Sequence, residues 1–226
     1  MEAVSEPQRT GLLVPLYIYP SPGAWDPLIQ AKRVNPEVPV VAIVNPSSGP
    51  GVRTDPNYVA GISALRNAGI RTVAYVSTQY ATRQRSDVTH DIDAYTKLYG
   101  SVFDGIFLDE MSKTDGHFYG MVTAYAKDSG LPLVIGNPGT DVPAGYVGQT
   151  TDVIVIYENA GSPSMPFLAG WHASRPKQTW AFIAHHVPEL DPSLVTGAKN
   201  YVGLLYVTDA NYHAFPPYLP NLVALL

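Results

Sequence analysis

Two carboxylates stand side by side at the end of an apolar run, Asp109 and Glu110 in VFDGIFLDEMS, and a third, Glu158, closes a similar run, DVIVIYE. An unpaired carboxylate is costly to bury, so acids in these positions belong at the mouth of a site or under a salt bridge. Carboxylates a few ångströms apart can divide the labour of cleaving an acetal. One, raised in pKa, protonates the leaving oxygen, while the other stays ionised to attack carbon or activate water. Because successive side chains of a strand face opposite ways, only one of Asp109 and Glu110 is expected to point squarely inward if the strand stays regular. The bland alternative for the adjacent pair is a strand-end ion pair or a helix N-cap. Asp104 and Asp152 open the same two runs and are expected to satisfy turn or helix-end amides at the far end of the strands.

The acids need a scaffold that brings them together. Eight short β-branched or aromatic runs recur along the chain, at 12–19, 38–45, 71–78, 103–110, 131–137, 152–158, 179–186 and 201–208. Several are nearly continuous in apolar residues, as expected of parallel strands covered on both faces. Between them PNYVAGISALRNAG, VTHDIDAYTKLYG and HFYGMVTAYAKDSG read as helices that stop at Gly69, Gly100 and Gly130. The links after the fifth, sixth and seventh runs are rich in Gly and Pro and predict short or irregular elements. Repeated βα units with right-handed crossovers close most simply as a (β/α)₈ barrel of the TIM type. An open doubly wound sheet would call for a Gly-rich phosphate turn after the first strand, where YPSPGAWD stands instead.

In such a barrel, sites gather at the C-terminal strand ends. There the chain places Tyr17, Tyr19, Asn45, Asn137, Tyr157, His185, Tyr206 and Asp209 as candidate substrate contacts around the catalytic candidates Asp109, Glu110 and Glu158. Strands four and six have one neighbour between them, at about 4.8 Å per strand, so side chains converging from both could meet across the mouth. His185 and His186 are adjacent and face opposite ways on a strand, so they make a poor metal pair. No metal and no cofactor are expected.

Composition narrows the partners. At 226 residues and 46% hydrophobic, the chain suits one globular barrel over residues 11–226, preceded by a polar segment, 1–10, expected to be disordered. A net charge of −5 without a Lys/Arg cluster gives no footprint for nucleic acid. No apolar run is long enough to span a membrane. Cysteine is absent, which rules out disulfides and thiolate metal sites and leaves the redox compartment unread. A monomer is expected.

VPLYIYP with PGAW, VAIVNPSSGPG, GIFLDE and VIVIYEN together resemble the spherulin-4 family, over about residues 11–226. That family includes fungal barrel enzymes of glycoside hydrolase family 135 that cleave galactosaminogalactan. The resemblance implies an extracellular or cell-surface, endo-acting α-1,4-N-acetylgalactosaminidase on a hexosamine polysaccharide. It matches Asp109 to the family's nucleophile, Glu110 to its essential neighbour and Glu158 to its acid/base. Two other readings compete: a carbohydrate-binding or spore-coat protein without turnover, and a phosphate-handling barrel enzyme. The absence of a Gly-rich cradle after the seventh and eighth runs weighs against the last.

Overall fold

The structure, a computed structural model, describes residues 9–226. Eight parallel strands form a closed barrel in sequential order: β1 (Gly11–Leu16), β2 (Val40–Val44), β3 (Arg71–Ser77), β4 (Gly105–Asp109), β5 (Leu133–Gly136), β6 (Val153–Ala160), β7 (Trp180–His185) and β8 (Leu204–Val207). The expected (β/α)₈ architecture is what the chain adopts. Most strands end a residue or more inside the expected runs, because the run also contains the first loop residues at the mouth. β6 instead runs two residues further, to Ala160.

Outside the barrel lie α1 (Asp26–Val34), α2 (Pro56–Asn67), α3 (Arg85–Tyr99), α4 (Gly116–Asp128), α5 (Met165–Leu168), α6 (Pro192–Ala198) and α7 (Leu219–Ala224). The helix starts are chemically marked. Asp55 accepts from the Asn57 amide ahead of Pro56, and Asp115 accepts from the Phe118 amide, each satisfying a donor the first turn leaves free. Gly69, Gly100 and Gly130 follow the three expected helices with φ of 76°, 74° and 83°, a conformation glycine adopts without steric cost.

The helical layer thins where the sequence predicts it should. Between β5 and β6 the chain makes only a 3₁₀ turn at Ala144–Tyr146, and between β6 and β7 the four-residue α5 is followed by 3₁₀ turns. A polar and aromatic clamp replaces the missing helix. His172 is buried, with Nε2 at 2.9 Å from Asp141 Oδ1, while the Trp171 indole donates to both Asp141 oxygens and the Trp180 indole to the His172 carbonyl.

At the N-terminal end of the barrel, Asp104 accepts from the Thr72 amide of β3 at 2.8 Å and Asp152 from the Val134 amide of β5 at 2.9 Å. Each also pairs with a cation, Arg66 at 3.3 Å and Lys127 at 2.5 Å. These two acids tie neighbouring strands together, the strand-end version of the amide-capping role expected of them. The polar segment expected over 1–10 lies, through residue 8, outside the described residues. Thr10 is buried and donates to the Val202 carbonyl at 2.8 Å.

Gly105 shows how closely the strands approach: a Cβ there would sit 1.9 Å from the Leu133 carbonyl oxygen. Gly105→Ala is expected to lose about 3 kcal/mol or more in chemical denaturation, since backbone on the neighbouring strand must move. Gly145→Ala, with open space around it, is expected to stay within about 0.5 kcal/mol of the parent. Equal effects would mean the barrel relaxes at Gly105.

Candidate active site

β4 places Asp109. Phe107 pairs with Tyr75 of β3 and stacks on it at 6.4 Å inside the barrel, so two residues on, Asp109 faces the same interior. Strand geometry then stops. Glu110 takes a φ of 53°, which turns the chain over β3, and its carboxylate accepts from Ser77 Oγ at 2.5 Å. Thus Asp109 is the inward acid, and Glu110 lies beside it at the rim.

Glu158 reaches the mouth by a different device. Ile154 pairs with Trp180, which packs outward on Trp171 and His172, so Ile154 faces out and Val155 in. Simple alternation would next turn Tyr157 inward and Glu158 out. The register shifts by one residue between Val155 and Tyr157, a bulge that reverses this order. Tyr157 packs on Phe167 of α5 instead, and its hydroxyl donates to the Gly161 carbonyl at 3.0 Å.

Asn137, just past β5, joins the two strands. Its side-chain NH₂ donates to Asp109 Oδ1 at 2.8 Å and to Glu158 Oε2. Its Oδ1 accepts from the Gly139 amide at 3.0 Å, which fixes which end of the amide faces the acids. Two carboxylate oxygens on one nitrogen lie within two hydrogen-bond lengths of each other, at most about 6 Å. Tyr212, from the loop after β8, donates to the other Glu158 oxygen at 2.5 Å.

Three tyrosines wall this pair. Tyr17 meets Tyr75 and Tyr212 edge to face, at 5.8 and 5.6 Å. Burial and the nearby carboxylates push all three phenols well above their usual range, so each hydroxyl remains a neutral donor. Asp109 is raised as well, chiefly by burial. The Tyr75 hydrogen bond pulls it back, the Glu158 charge pushes it up again, and the Glu110 amide and Asn137 also oppose the rise. His185 stands on the same rim with its ring against Tyr212 and close to His186. Burial and His186 lower its pKa, which favours the neutral ring.

Not every expected contact joins the acids. Tyr206 is buried, only 1% exposed, and cannot stack on a ligand. Tyr157 is turned out by the bulge. Tyr19 is hydrogen-bonded to Asp55 and Asn57 beside α2, and Asn45 accepts the Gly49 amide within its own loop. Asp209 is half-buried at the rim. Tyr75 and Tyr212 were missed. Tyr75 could have been found by counting two residues back from Ser77 on the inner face of β3, whereas the loop TDANYHAFPP carries no period that singles out Tyr212.

Backbone strain concentrates on this face. The non-glycine residues with positive φ among those described are Ser48, Gln79, Tyr80, Ala81, Glu110 and His186, all in loops after β2, β3, β4 and β7. Such conformations cost roughly 1 kcal/mol or more each, persist only where surrounding contacts hold them, and cluster at functional sites.

Because the folded state raises the Asp109 carboxyl, it binds that proton more tightly than the unfolded chain does. The resulting stability is full below the unfolded value, about 3.9, and is lost as pH rises through the folded value. Asp109→Asn is therefore expected to raise the melting temperature at pH 7 and to raise it less at pH 3. Calorimetry showing the same shift at both pH values would contradict the assigned burial cost.

Comparison with known proteins places this barrel. The profile of spherulation-specific family 4 matches residues 11–226. Spherulin-4 of Physarum polycephalum is 37% identical over 220 residues, covering 91% of this chain and 64% of its own length; the chain thus spans less than two thirds of that relative. Sph3 of Aspergillus clavatus, solved in complex with GalNAc, superposes with a TM-score of 0.84 at 28% identity, covering 96% of this chain and 97% of that one. A chitinase of Rhizomucor miehei superposes at 0.57 with 12% identity over 97% and 100% of the two chains, a likeness of fold alone.

Proposed function

We propose that this chain, which belongs to spherulation-specific family 4, is a glycoside hydrolase that cuts a hexosamine polymer internally with retention of configuration. The observation that carries the reading is the Asn137 amide holding one oxygen of Asp109 and one of Glu158 within about 6 Å of each other, a bridged arrangement compatible with the roughly 5 to 5.5 Å separation of a retaining pair. The likeness to Sph3, solved with a GalNAc unit, supports a hexosamine at the cleaved position. Acidic charge at the mouth and over the whole chain favours neutral or cationic sugars over uronates. An extracellular or cell-surface setting follows from such a polymer.

Asp109 attacks the anomeric carbon as the bond to the leaving oxygen breaks, and Glu158 gives that oxygen its proton. Glu158 then takes a proton from the water that attacks the same carbon and frees Asp109. In an α-linked 2-acetamido sugar the acetamido group is cis to the leaving oxygen and cannot displace it from behind, so the nucleophile must come from the protein. Burial leaves the Asp109 carboxyl raised although Tyr75, the Glu110 amide and Asn137 oppose the rise, so its role as nucleophile is taken from the family resemblance, and it acts once the pH exceeds that raised value. Asn137 and Tyr212 hold Glu158 opposite it. Glu110, fixed by Ser77, orients the turn that ends β4.

Asp109→Asn and Glu158→Gln are each expected to lower reducing-end release from polymeric N-acetylgalactosamine by about a thousandfold with folding intact. Wild-type rates in both would move the chemistry elsewhere. Binding of the polymer by the parent without any turnover would support the non-catalytic reading instead.

Tyr75→Phe deletes a hydrogen bond that lowers the Asp109 pKa. The acid limb of kcat/KM, where Asp109 must lose its proton, is expected to move to higher pH. An unmoved limb, or one moved to lower pH, would show that another group sets it.

A further inference from the structure

Gln79, Tyr80 and Ala81, in the loop after β3, hold φ values of 46°, 57° and 65° in succession. L-residues visit this region singly and rarely, so three in a row form a left-handed turn that needs fastening from outside. The fasteners come from the acid-bearing segment. The Tyr80 amide donates to the Glu110 carbonyl at 2.7 Å, and the Thr78 amide to the Asp109 carbonyl at 3.0 Å. Beneath them the Thr78 hydroxyl contacts both carbonyls, and Arg83 donates to the Ser77 carbonyl at 2.7 Å while pairing with Asp91 at 2.8 Å.

This strained turn presents a ring to water. Tyr80 is 62% exposed, and among the described residues its side chain has no ring contact and no hydrogen bond. The exposed amide of Gln79 also has no partner there. A turn kept only for shape would be easier to build with glycine, which carries no penalty at these angles. Tyr17, Tyr75 and Tyr212 are packed around the carboxylates, so Tyr80 is the tyrosine tied to Glu110 that remains free to receive a ligand face.

We propose that the Gln79–Ala81 turn is a second sugar position, in which Tyr80 stacks on a pyranose unit of the chain lying across the Asp109–Glu158 site and the Gln79 amide binds that unit's hydroxyl or acetamido group. The proposal rests on the carbohydrate reading above. The occupant is a hexosamine unit next to, or one removed from, the cleaved bond on the β3 side. Tyrosine faces accept the C–H face of such a ring, and an ammonium on a de-N-acetylated unit would add a cation–π contact. Anchored through its backbone to Glu110, the platform stays in register with the acids.

The test is affinity against chain length, in the turnover-deficient Asp109→Asn background, with N-acetylgalactosamine oligomers of one to six units in a calorimeter. Affinity is expected to rise in a step when the oligomer becomes long enough to reach the turn. Tyr80→Ala should remove about tenfold at and beyond that length, whereas Tyr80→Phe and Tyr80→Trp should keep the step. Tyr80→Gly should lose the step while its melting temperature stays the same or rises, because the φ of 57° is then relieved. Equal binding of every length by the Ala variant and its parent would overturn the proposal, as would a Phe variant as weak as Ala. A Gly variant that loses stability along with affinity would assign the turn to folding. If the parent binds no oligomer at all, the carbohydrate reading falls first and the platform falls with it.

Discussion

One side-chain amide holds the site together. Asn137 has two N–H groups on a single nitrogen, and each is taken by a different carboxylate, Asp109 from β4 and Glu158 from β6. Two acids this close repel when both are ionised, and burial raises the cost of either charge. Donors must therefore surround them: Tyr75 on Asp109, Tyr212 on Glu158, and Asn137 between. The Gly139 amide, by occupying the Asn137 oxygen, keeps the amide from turning over and placing a lone pair against the acids. What the barrel supplies is the spacing that puts one strand, β5, between the two acid-bearing ones.

The backbone around this bridge is bent to serve it. β4 ends in a left-handed Glu110, and β6 carries an extra residue ahead of Tyr157. Without the bulge, Glu158 would face the outer layer, where Tyr157 now packs on Phe167. The same outer layer is thin between β5 and β7, and the Asp141–His172–Trp171–Trp180 clamp stands in for helix there. Burial of Asp109 works against stability at neutral pH, and the strained loops add to that cost. Both are borne by a continuous apolar barrel whose strand interiors are almost wholly buried.

Much of this was legible in the residue pattern. Eight apolar runs with helix signals between them define the barrel, and polar residues at their ends pick out the mouth, including Asp109, Glu110, Glu158 and Asn137. Asp104 and Asp152 could be assigned to the opposite end because they open the runs that acids close. What could not be read depends on register. DGIFLDE and DVIVIYE have equal spacing, yet the inward acid is Asp109 in the first, one residue before its end, and Glu158 in the second. A bulge leaves no mark in a short apolar run, so Tyr157 reads from the sequence as a substrate contact at the rim, although it packs on the outer layer. Tyr206 sits deep for a related reason: β8 ends at Val207, and a tyrosine one residue short of the end lies within the core rather than above it. Tyr212 lies in a loop with no periodicity, and only the closed barrel brings it 54 positions along the chain back to Glu158.

In the proposed reaction Asp109 forms a bond to the sugar while Glu158 moves the proton. A fluorinated N-acetylgalactosaminyl donor with a good leaving group slows release of a covalent intermediate, and mass spectrometry of the digested protein locates it. One adduct is expected, on the peptide containing Asp109, with products that keep the α configuration by proton NMR at early times. An adduct on the peptide containing Glu158 would exchange the two roles, and inverted product without any adduct would contradict the bridged pair as a retaining site.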